Sequence, residues 1–265
     1  MLRIMDVEQA RQTILRRQAL GKEIPPALRA GLERVFGQGV TPQEGVRRIL
    51  ADVQSRGDAA LCHWMETIDG QTLERFDIPS EEWSAAFDRL PAELQASLRV
   101  AAEHIRAFHA RQPIPTWSTT EMGGVLGQNV TPLDRVGVYV PGGTAPLPSS
   151  LLMSAIPALV AGVKEVVVAT PPGRNGVPDV ILAAAHLAGV KAVYRLGGAQ
   201  AIAALAFGTQ SIPRVDKIVG AGNLFVTLAK QQVFGQVGLD GLAGPTETVI
   251  VADDSANPTW VAADL

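Results

Sequence analysis

Three short segments of the sequence combine glycine with polar or small residues, as loops that bind phosphate-containing ligands do. The segments are Pro141-Gly142-Gly143, Gly197-Gly198-Ala199-Gln200 and Gly220-Ala221-Gly222-Asn223. Glycines let a ligand approach the backbone, and free N–H groups at a helix N-terminus favour an anion or a pyrophosphate. The third segment matches only the first two glycines of the pattern G-x-G-x-x-G, which alone is a weak signal. Together the three segments predict a cofactor-binding site.

Polar side chains accompany these segments. Tyr139 could stack on a cofactor or hydrogen-bond to it, and the Gln200 amide offers both a donor and an acceptor. Thr246 and Glu247 follow a Gly-Pro turn and suit a small polar ligand. Each also has a plainer interpretation: a core tyrosine, a polar residue on the first turn of a helix, and an ordinary loop. The residues alone leave both interpretations open.

Residues for acid–base, nucleophilic or metal catalysis do not form a recognisable set in this sequence. The histidines lie on separate helical patterns, and no pair has the spacing of metal ligands. Cys62 fits a small buried hydrophobic residue. We therefore assign no catalytic residue and no metal ligand within the chain. The histidines are His63, His104, His109 and His186.

Alternating strands and helices must position the three glycine segments. Short apolar runs occupy residues 136–140, 165–170, 192–196, 217–220 and 248–252, with Ala- and Leu-rich helical patterns at 149–162, 178–188, 199–207 and 223–234. This alternation predicts βαβ units, hence a parallel sheet covered on both faces. Burial on both faces explains why these strands are continuously apolar. The predicted domain is Rossmann-like.

The N-terminal part, which carries most of the charge, predicts amphipathic helices. Thr41-Pro42-Gln43-Glu44 is a capping box with proline at the first helical position. Further helices are expected after Asp58, after Ser80 and over residues 91–111, the last with Val100, Ile105 and Phe108 on its apolar side. Residues 117–135 are typical of a hairpin linker.

Composition excludes several classes of protein. The formal net charge of −3, with no block of like charge, argues against a nucleic-acid binder or a polybasic membrane patch. One cysteine among 265 residues excludes a disulfide scaffold and fits a reducing compartment. The N-terminus lacks the apolar region of a signal peptide. Residues 136–163 carry no charge, but prolines and a Gly-Gly pair interrupt them, which argues against a membrane span. We predict a cytoplasmic protein.

A last helix is predicted to begin at Asn257-Pro258, and the sequence ends about two turns later without a C-cap. This pattern predicts a piece of a longer chain.

Four ordered motifs resemble histidinol dehydrogenase, and the resemblance extends over essentially the whole chain. The motifs are Arg135-Val136-Gly137-Val138-Tyr139-Val140-Pro141-Gly142-Gly143, residues 197–209, Val215-Asp216-Lys217-Ile218 and Ala243-Gly244-Pro245-Thr246-Glu247. The resemblance implies a zinc-dependent, NAD-linked cytoplasmic homodimer that oxidises L-histidinol through the aldehyde to L-histidine, in histidine biosynthesis.

The same resemblance assigns residues and domains. It places NAD contacts on Tyr139, Gln200 and Asn223, and a substrate contact on Thr246. It implies an N-terminal helical arm at 1–30 and a Rossmann-like NAD-binding domain at 134–244. That domain is inserted into an incomplete α/β domain formed by residues 31–133 and 245–265. The zinc ligands and the catalytic Glu-His pair of the family would follow Leu265, so residues 1–265 alone are expected to be inactive.

One departure and two alternatives accompany this interpretation. Ala221 stands where the family has proline, which loosens the turn that aims Asn223. The chain could instead be a non-catalytic nucleotide-binding remnant of the family. It could also be a related alcohol dehydrogenase, such as a sulfopropanediol dehydrogenase.

Overall fold

The computed structural model describes residues 4–15, 26–112, 115–142, 146–173, 175–243 and 249–264. The chain divides into two compact units, Met1–Gly45 and Val46–Leu265.

The first unit is helical. Helix α1 (Val7–Gln12) is capped by Asp6, whose carboxylate accepts a hydrogen bond from the Gln9 backbone N–H at 2.8 Å. Helix α2 (Pro26–Phe36) follows, and α3 (Pro42–Arg56) begins in this unit. The predicted capping box is confirmed at its first half, because the Glu44 N–H donates to Thr41 Oγ1 at 3.2 Å.

The helical part of the second unit contains α4 (Asp58–Trp64), a π-helical turn (Met65–Asp69), α5 (Ser80–Arg89) and α6 (Ala92–His109). The prediction for the apolar face of α6 was partly wrong, because Val100 and Phe108 are exposed while Leu98 and Ala102 are buried. Val100 lies two residues, or about 200° of helical rotation, from Leu98, and so cannot share its buried stripe. Ile105, seven residues from Leu98, does pack against the core.

An antiparallel hairpin of β1 (Trp117–Thr119) and β2 (Leu126–Gln128) confirms the hairpin predicted for the linker.

The predicted Rossmann-like alternation is confirmed. Strands and helices alternate as β3 (Arg135–Tyr139), α7 (Pro148–Val160), β4 (Glu165–Thr170), α8 (Asp179–Ala188), β5 (Ala192–Arg195), α9 (Gly198–Phe207), β6 (Lys217–Val219), α10 (Leu224–Val233) and β7 (Gly238–Leu239). The five strands form one parallel sheet in the order β5-β4-β3-β6-β7.

Both faces of this sheet carry helices, as the continuously apolar strands predicted. Val136 and Val138 of β3, with Val140 just after the strand, join a core with buried residues of α5, α6, α7 and α8. Gly137 faces the opposite side, where a β-carbon would lie 3.1 Å from the Leu205 side chain of α9. The outer edge of β5 is paired as well, because residues 76–78 run antiparallel to it through Ile78 N–H to Val193 and Arg195 N–H to Phe76. This pairing covers an edge that would otherwise expose unpaired backbone groups.

The C-terminal part differs from one prediction. A strand was expected over residues 248–252, but the described residues 249–252 form none, and Val249 and Val251 are exposed. An apolar run forms a strand only where it hydrogen-bonds to a partner, and none of the described strands pairs with residues 249–252. Helix α11 (Pro258–Asp264) begins where predicted, and Asn257 Oδ1 accepts the Thr259 N–H at 2.9 Å. No helix in the described ranges is long and apolar enough to cross a membrane.

Candidate functional site

The strand order creates a crevice at the carboxyl ends of β3 and β6. The chain proceeds outward from β3 to β4 and β5, and then returns to the other side of β3 to form β6. Parallel sheets bind ligands at such a topological switch point. Tyr139 ends β3 and Gly220 follows β6, so two of the three predicted glycine segments meet at this crevice.

Gly220 brings the loop after β6 against the backbone of β3. Its φ of +108° is a conformation that favours glycine, and a β-carbon there would lie 2.1 Å from the Tyr139 backbone oxygen. Only a residue without a side chain fits this position.

Tyr139 connects the loops after β3 and β5. Its side chain is buried, and its hydroxyl oxygen accepts a hydrogen bond from the Gly198 backbone N–H at 3.1 Å. Burial raises the pKa of the phenol and the nearby Asp69 carboxylate adds to the rise, while the Gly198 N–H opposes it. Tyr139 therefore keeps its proton as a potential donor. The first N–H of α9, expected to be free for an anion, is engaged by this hydroxyl.

Gln200 lies on the first turn of α9 and is only 1% exposed. Its Nε2 donates to Oδ2 of Asp69 at 3.3 Å, whereas its Oε1 is buried and has no hydrogen-bond partner among the described residues. A buried acceptor without a partner costs about 1–3 kcal/mol. Such an atom requires a donor from outside the described residues, which a ligand or an ordered water would supply.

Asp69 is a member of the cluster that the sequence did not identify. It ends the π-helical turn, and the left-handed Gly70 follows it. The residue as a whole is exposed, but protein around the carboxyl raises its pKa by burial. Helical turns of this π type are frequent at functional sites. In the sequence, an acid before a helix-ending glycine carries no signal that distinguishes it from a surface residue.

Asn223 occupies the predicted loop after β6 and caps α10. Its Oδ1 accepts the Val226 N–H at 3.1 Å, and its backbone is extended. The residue is exposed, and no group in the described ranges accepts from its amide N–H pair, so those donors are available to solvent or to a ligand. The alanine at position 221 has therefore not prevented Asn223 from adopting an ordered N-cap geometry.

A buried lysine and an aspartate hydrogen-bond to the backbone of the loop after β6. Lys230 of α10 donates through Nζ to the Gly220 carbonyl at 2.8 Å and to Asp240 Oδ1 at 2.5 Å. Asp240 Oδ2 accepts the Gly220 N–H at 2.7 Å. Both backbone polar groups of Gly220 are thus bonded to this pair. This pair was not predicted from the sequence, although a lysine within an apolar helix was an available signal.

Two of the predicted glycines serve packing. A β-carbon at Gly142 would lie 2.5 Å from Cγ of Pro171, and one at Gly197 would lie 2.4 Å from Cβ of the same proline. The Pro171 ring, just after β4, therefore requires glycine in both neighbouring loops. Gly143 and Thr246, the expected substrate contact, lie outside the described residues.

The described histidines do not approach one another as metal ligands. His63, His104 and His186 are exposed and His109 is half-buried. Within the described ranges no group of three or more His, Cys, Asp or Glu residues could hold a metal ion. These side chains supply no set of zinc ligands.

The polar groups of this site offer a ligand both hydrogen-bond donors and an acceptor. They comprise a buried acceptor without a partner on Gln200, a protonated phenol on Tyr139 and two free amide donors on Asn223. Tyr139, Gln200 and Asn223, the three polar residues predicted from sequence, thus end or follow strands of one sheet. Gly198 contacts two of them, because its N–H donates to Tyr139 and its Cα lies beside Gln200 Oε1.

Comparisons with known proteins agree on one family. A sequence profile described as histidinol dehydrogenase matches residues 37–265. The histidinol dehydrogenase of Deinococcus radiodurans is 53% identical over 243 residues, covering 91% of this chain and 55% of the relative. That of Pseudomonas aeruginosa is 52% identical over 221 residues, covering 82% of this chain and 50% of the relative.

A solved structure gives the same result. The crystal structure of histidinol dehydrogenase from Elizabethkingia anophelis aligns with a TM-score of 0.80 and 37% sequence identity, covering 91% of this chain and 57% of that one. The chain spans about half the length of the curated relatives it matches.

Proposed function

This chain belongs to the histidinol dehydrogenase family, and we propose that it forms the NAD-binding part of an enzyme that oxidises L-histidinol to L-histidine. Bound NAD would supply the hydride acceptor for this oxidation. Tyr139, Gln200 and Asn223 would contact the dinucleotide, and Thr246 the substrate. We further infer a cytoplasmic homodimer from the resemblance to the biosynthetic family.

One observation carries this proposal: a glutamine that is 1% exposed keeps an amide oxygen without a partner beside the switch-point crevice. A folded protein retains such an atom at a free-energy cost unless a ligand or an ordered water supplies a donor to it. Its position, two residues after the Gly-Gly turn that binds Tyr139, fits a ligand that spans the loops after β3 and β5.

The positions of the parallel sheet and of the proposed NAD contacts support a domain assignment. We propose residues 134–244 as the NAD-binding domain, because they contain the parallel sheet and the three proposed NAD contacts. None of the described residues is assigned as a zinc ligand, and none is given a part in the chemical step. The substrate alcohol and the zinc site would require residues outside this set.

Binding of NAD to the 265-residue chain, measured by titration calorimetry, tests the proposal. We expect saturable binding that Gln200→Leu weakens by at least about tenfold, because a buried hydrogen bond is lost. Gln231→Leu, on an exposed position of α10, is the matched control and should leave the affinity unchanged. We also expect no histidinol-dependent NADH formation by this chain alone. A parent chain that does not bind NAD would contradict the assignment.

A further inference from the structure

The contact between Asp69 and Gln200 joins residues 131 positions apart, and it leaves one end of the amide buried without a partner. We propose that Asp69 is a positioning residue that fixes the Gln200 amide so that its oxygen, and not its NH2 group, is presented to the bound dinucleotide. This inference rests on the proposed NAD site and specifies the polarity of one of its contacts.

The carboxylate determines which way the amide is turned. An ionised carboxylate accepts hydrogen bonds and donates none, whereas an amide has a donor end and an acceptor end. Turning the Gln200 amide over would place its oxygen against the Asp69 oxygen, so that two acceptors would face each other. Nε2 therefore lies 3.3 Å from Asp69 Oδ2, and Oε1 must occupy the other side.

Gly198 lies beside the oxygen on that other side. A β-carbon at Gly198 would lie 2.7 Å from Gln200 Oε1, so any larger residue would collide with the oxygen. The same Gly198 donates its N–H to Tyr139, which removes this N–H as a partner for Oε1 or for a phosphate. The described residues provide no other donor for Oε1.

The ligand group that meets Gln200 must consequently be a hydrogen-bond donor. A dinucleotide offers such donors on its nicotinamide carboxamide and on its ribose hydroxyls. Its pyrophosphate offers only acceptors, and the negative charge of Asp69 nearby disfavours it further. The geometry thus places a carboxamide or a ribose at Gln200 and excludes the pyrophosphate from this position.

Exchanging the two side-chain functions tests the inference. Asp69→Asn supplies both a donor and an acceptor, so the Gln200 amide is no longer held in one orientation and its oxygen can pair with the new NH2 group, while Gln200→Glu sets two carboxylates against each other. We expect each change to weaken NAD binding to the 265-residue chain by about tenfold, as for loss of a charge-assisted hydrogen bond. In the double variant, the amide introduced at position 69 donates to the carboxylate introduced at position 200, whose second oxygen again faces the ligand. Affinity should then recover to within about threefold of the parent.

Binding of a nicotinamide analogue identifies which group of the dinucleotide donates to Gln200. The analogue 3-acetylpyridine adenine dinucleotide lacks the carboxamide N–H groups. If the parent binds it about tenfold more weakly than NAD, the carboxamide is the donor. If the parent binds both equally, the donor is a ribose hydroxyl, and either result supports the inference. A double variant that binds NAD as weakly as the two single losses combined would overturn it.

Stability provides a readout that does not depend on NAD. The same four proteins, unfolded in urea, should show the double variant more stable than the sum of the single changes predicts. If the parent binds no NAD, the proposed function fails, and the stability measurements alone test the Asp69–Gln200 pairing. Recovery of stability in the double variant supports the pairing, and additive losses of stability overturn it. Gln231→Glu is the control for adding a carboxylate at an exposed glutamine.

Discussion

Replacing Lys230 by methionine should destabilise the protein by about 1.5–4 kcal/mol, because it removes a buried cation that holds the loop after β6. The Lys230 side chain is 2% exposed, and its Nζ lies 2.8 Å from the Gly220 carbonyl oxygen. A hydrogen bond from a charged donor contributes about 1.5–3 kcal/mol. The ion pair with Asp240 adds about 1 kcal/mol or less, since that side chain is 38% exposed and partly solvated.

Methionine retains the hydrocarbon stem, so the loss isolates the polar contacts from a cavity effect. Urea unfolding followed by far-UV circular dichroism measures the change in unfolding free energy. Lys164→Met is the matched control: Lys164 is paired with Asp134 at 3.4 Å, but the two side chains are 76% and 84% exposed. We expect that control to change stability by less than about 0.5 kcal/mol. Equal losses in the two variants would refute the argument that burial makes the Lys230 contacts strong.

The same substitution should also weaken NAD binding. Lys230 and Asp240 together bond both backbone polar groups of Gly220, three residues before Asn223. Without the lysine, the segment that presents the Asn223 amide is less restricted before the ligand binds, and ordering it costs part of the binding free energy. Calorimetry under conditions where Lys230→Met remains folded separates this loss of affinity from unfolding.

Three further changes test other parts of the structure. Gly220→Ala should destabilise the protein by about 3 kcal/mol or more, because a β-carbon would meet a backbone oxygen at 2.1 Å. Its control is Gly235→Ala, at a φ of +92° but with no atom within 4 Å of the new β-carbon, which should cost only the backbone strain of about 1–3 kcal/mol. Urea unfolding of both variants separates collision from strain. The Arg89 guanidinium lowers the pKa of Asp179, so the stability this pair provides is present above the unfolded-state value of 3.8 and disappears as the pH falls through the lower folded-state pKa. Arg89→Leu should therefore lose a small amount of stability at pH 7, since the side chains are 54% and 39% exposed, and should lose progressively less in acid unfolding measurements. Gln210→Ala removes an acceptor 2.8 Å from the first backbone N–H of α4, and should cost about 1 kcal/mol by thermal unfolding, as removal of a helix cap does; no measurable loss would show that solvent replaces it.

Elements with a strong local pattern were predictable from sequence. The strands β3 to β6 were found within one or two residues, because a parallel sheet covered on both faces requires continuous apolar runs. Strand β7 has only two residues, which is too short to give a pattern. Residues 76–78, which pair with the edge of β5, were missed because their pairing depends on a distant strand rather than on alternation.

The site was predictable where glycines and polar residues follow strands, and not where contacts are remote. Tyr139, Gln200 and Asn223 each follow or end a strand of one sheet, so the topology brings their loops to one end. Asp69 comes from a helical turn more than a hundred residues away, and sequence spacing carries no information about that contact. The resemblance to the family named the three polar residues but gave no role to Asp69, Lys230 or Asp240.

The Pro171 ring restricts which residues can occupy positions 142 and 197, in two loops that are far apart in the chain. The predicted collision at position 142 is with Cγ of the proline, whereas the nearest other ring atoms are 3.5 Å away. Exchanging Pro171 for alanine would remove Cγ and make a β-carbon at position 142 acceptable. Position 197 would gain nothing, because its collision is with Cβ at 2.4 Å, which alanine retains. A lineage that loses this proline is therefore free to vary position 142, while packing still requires glycine at position 197.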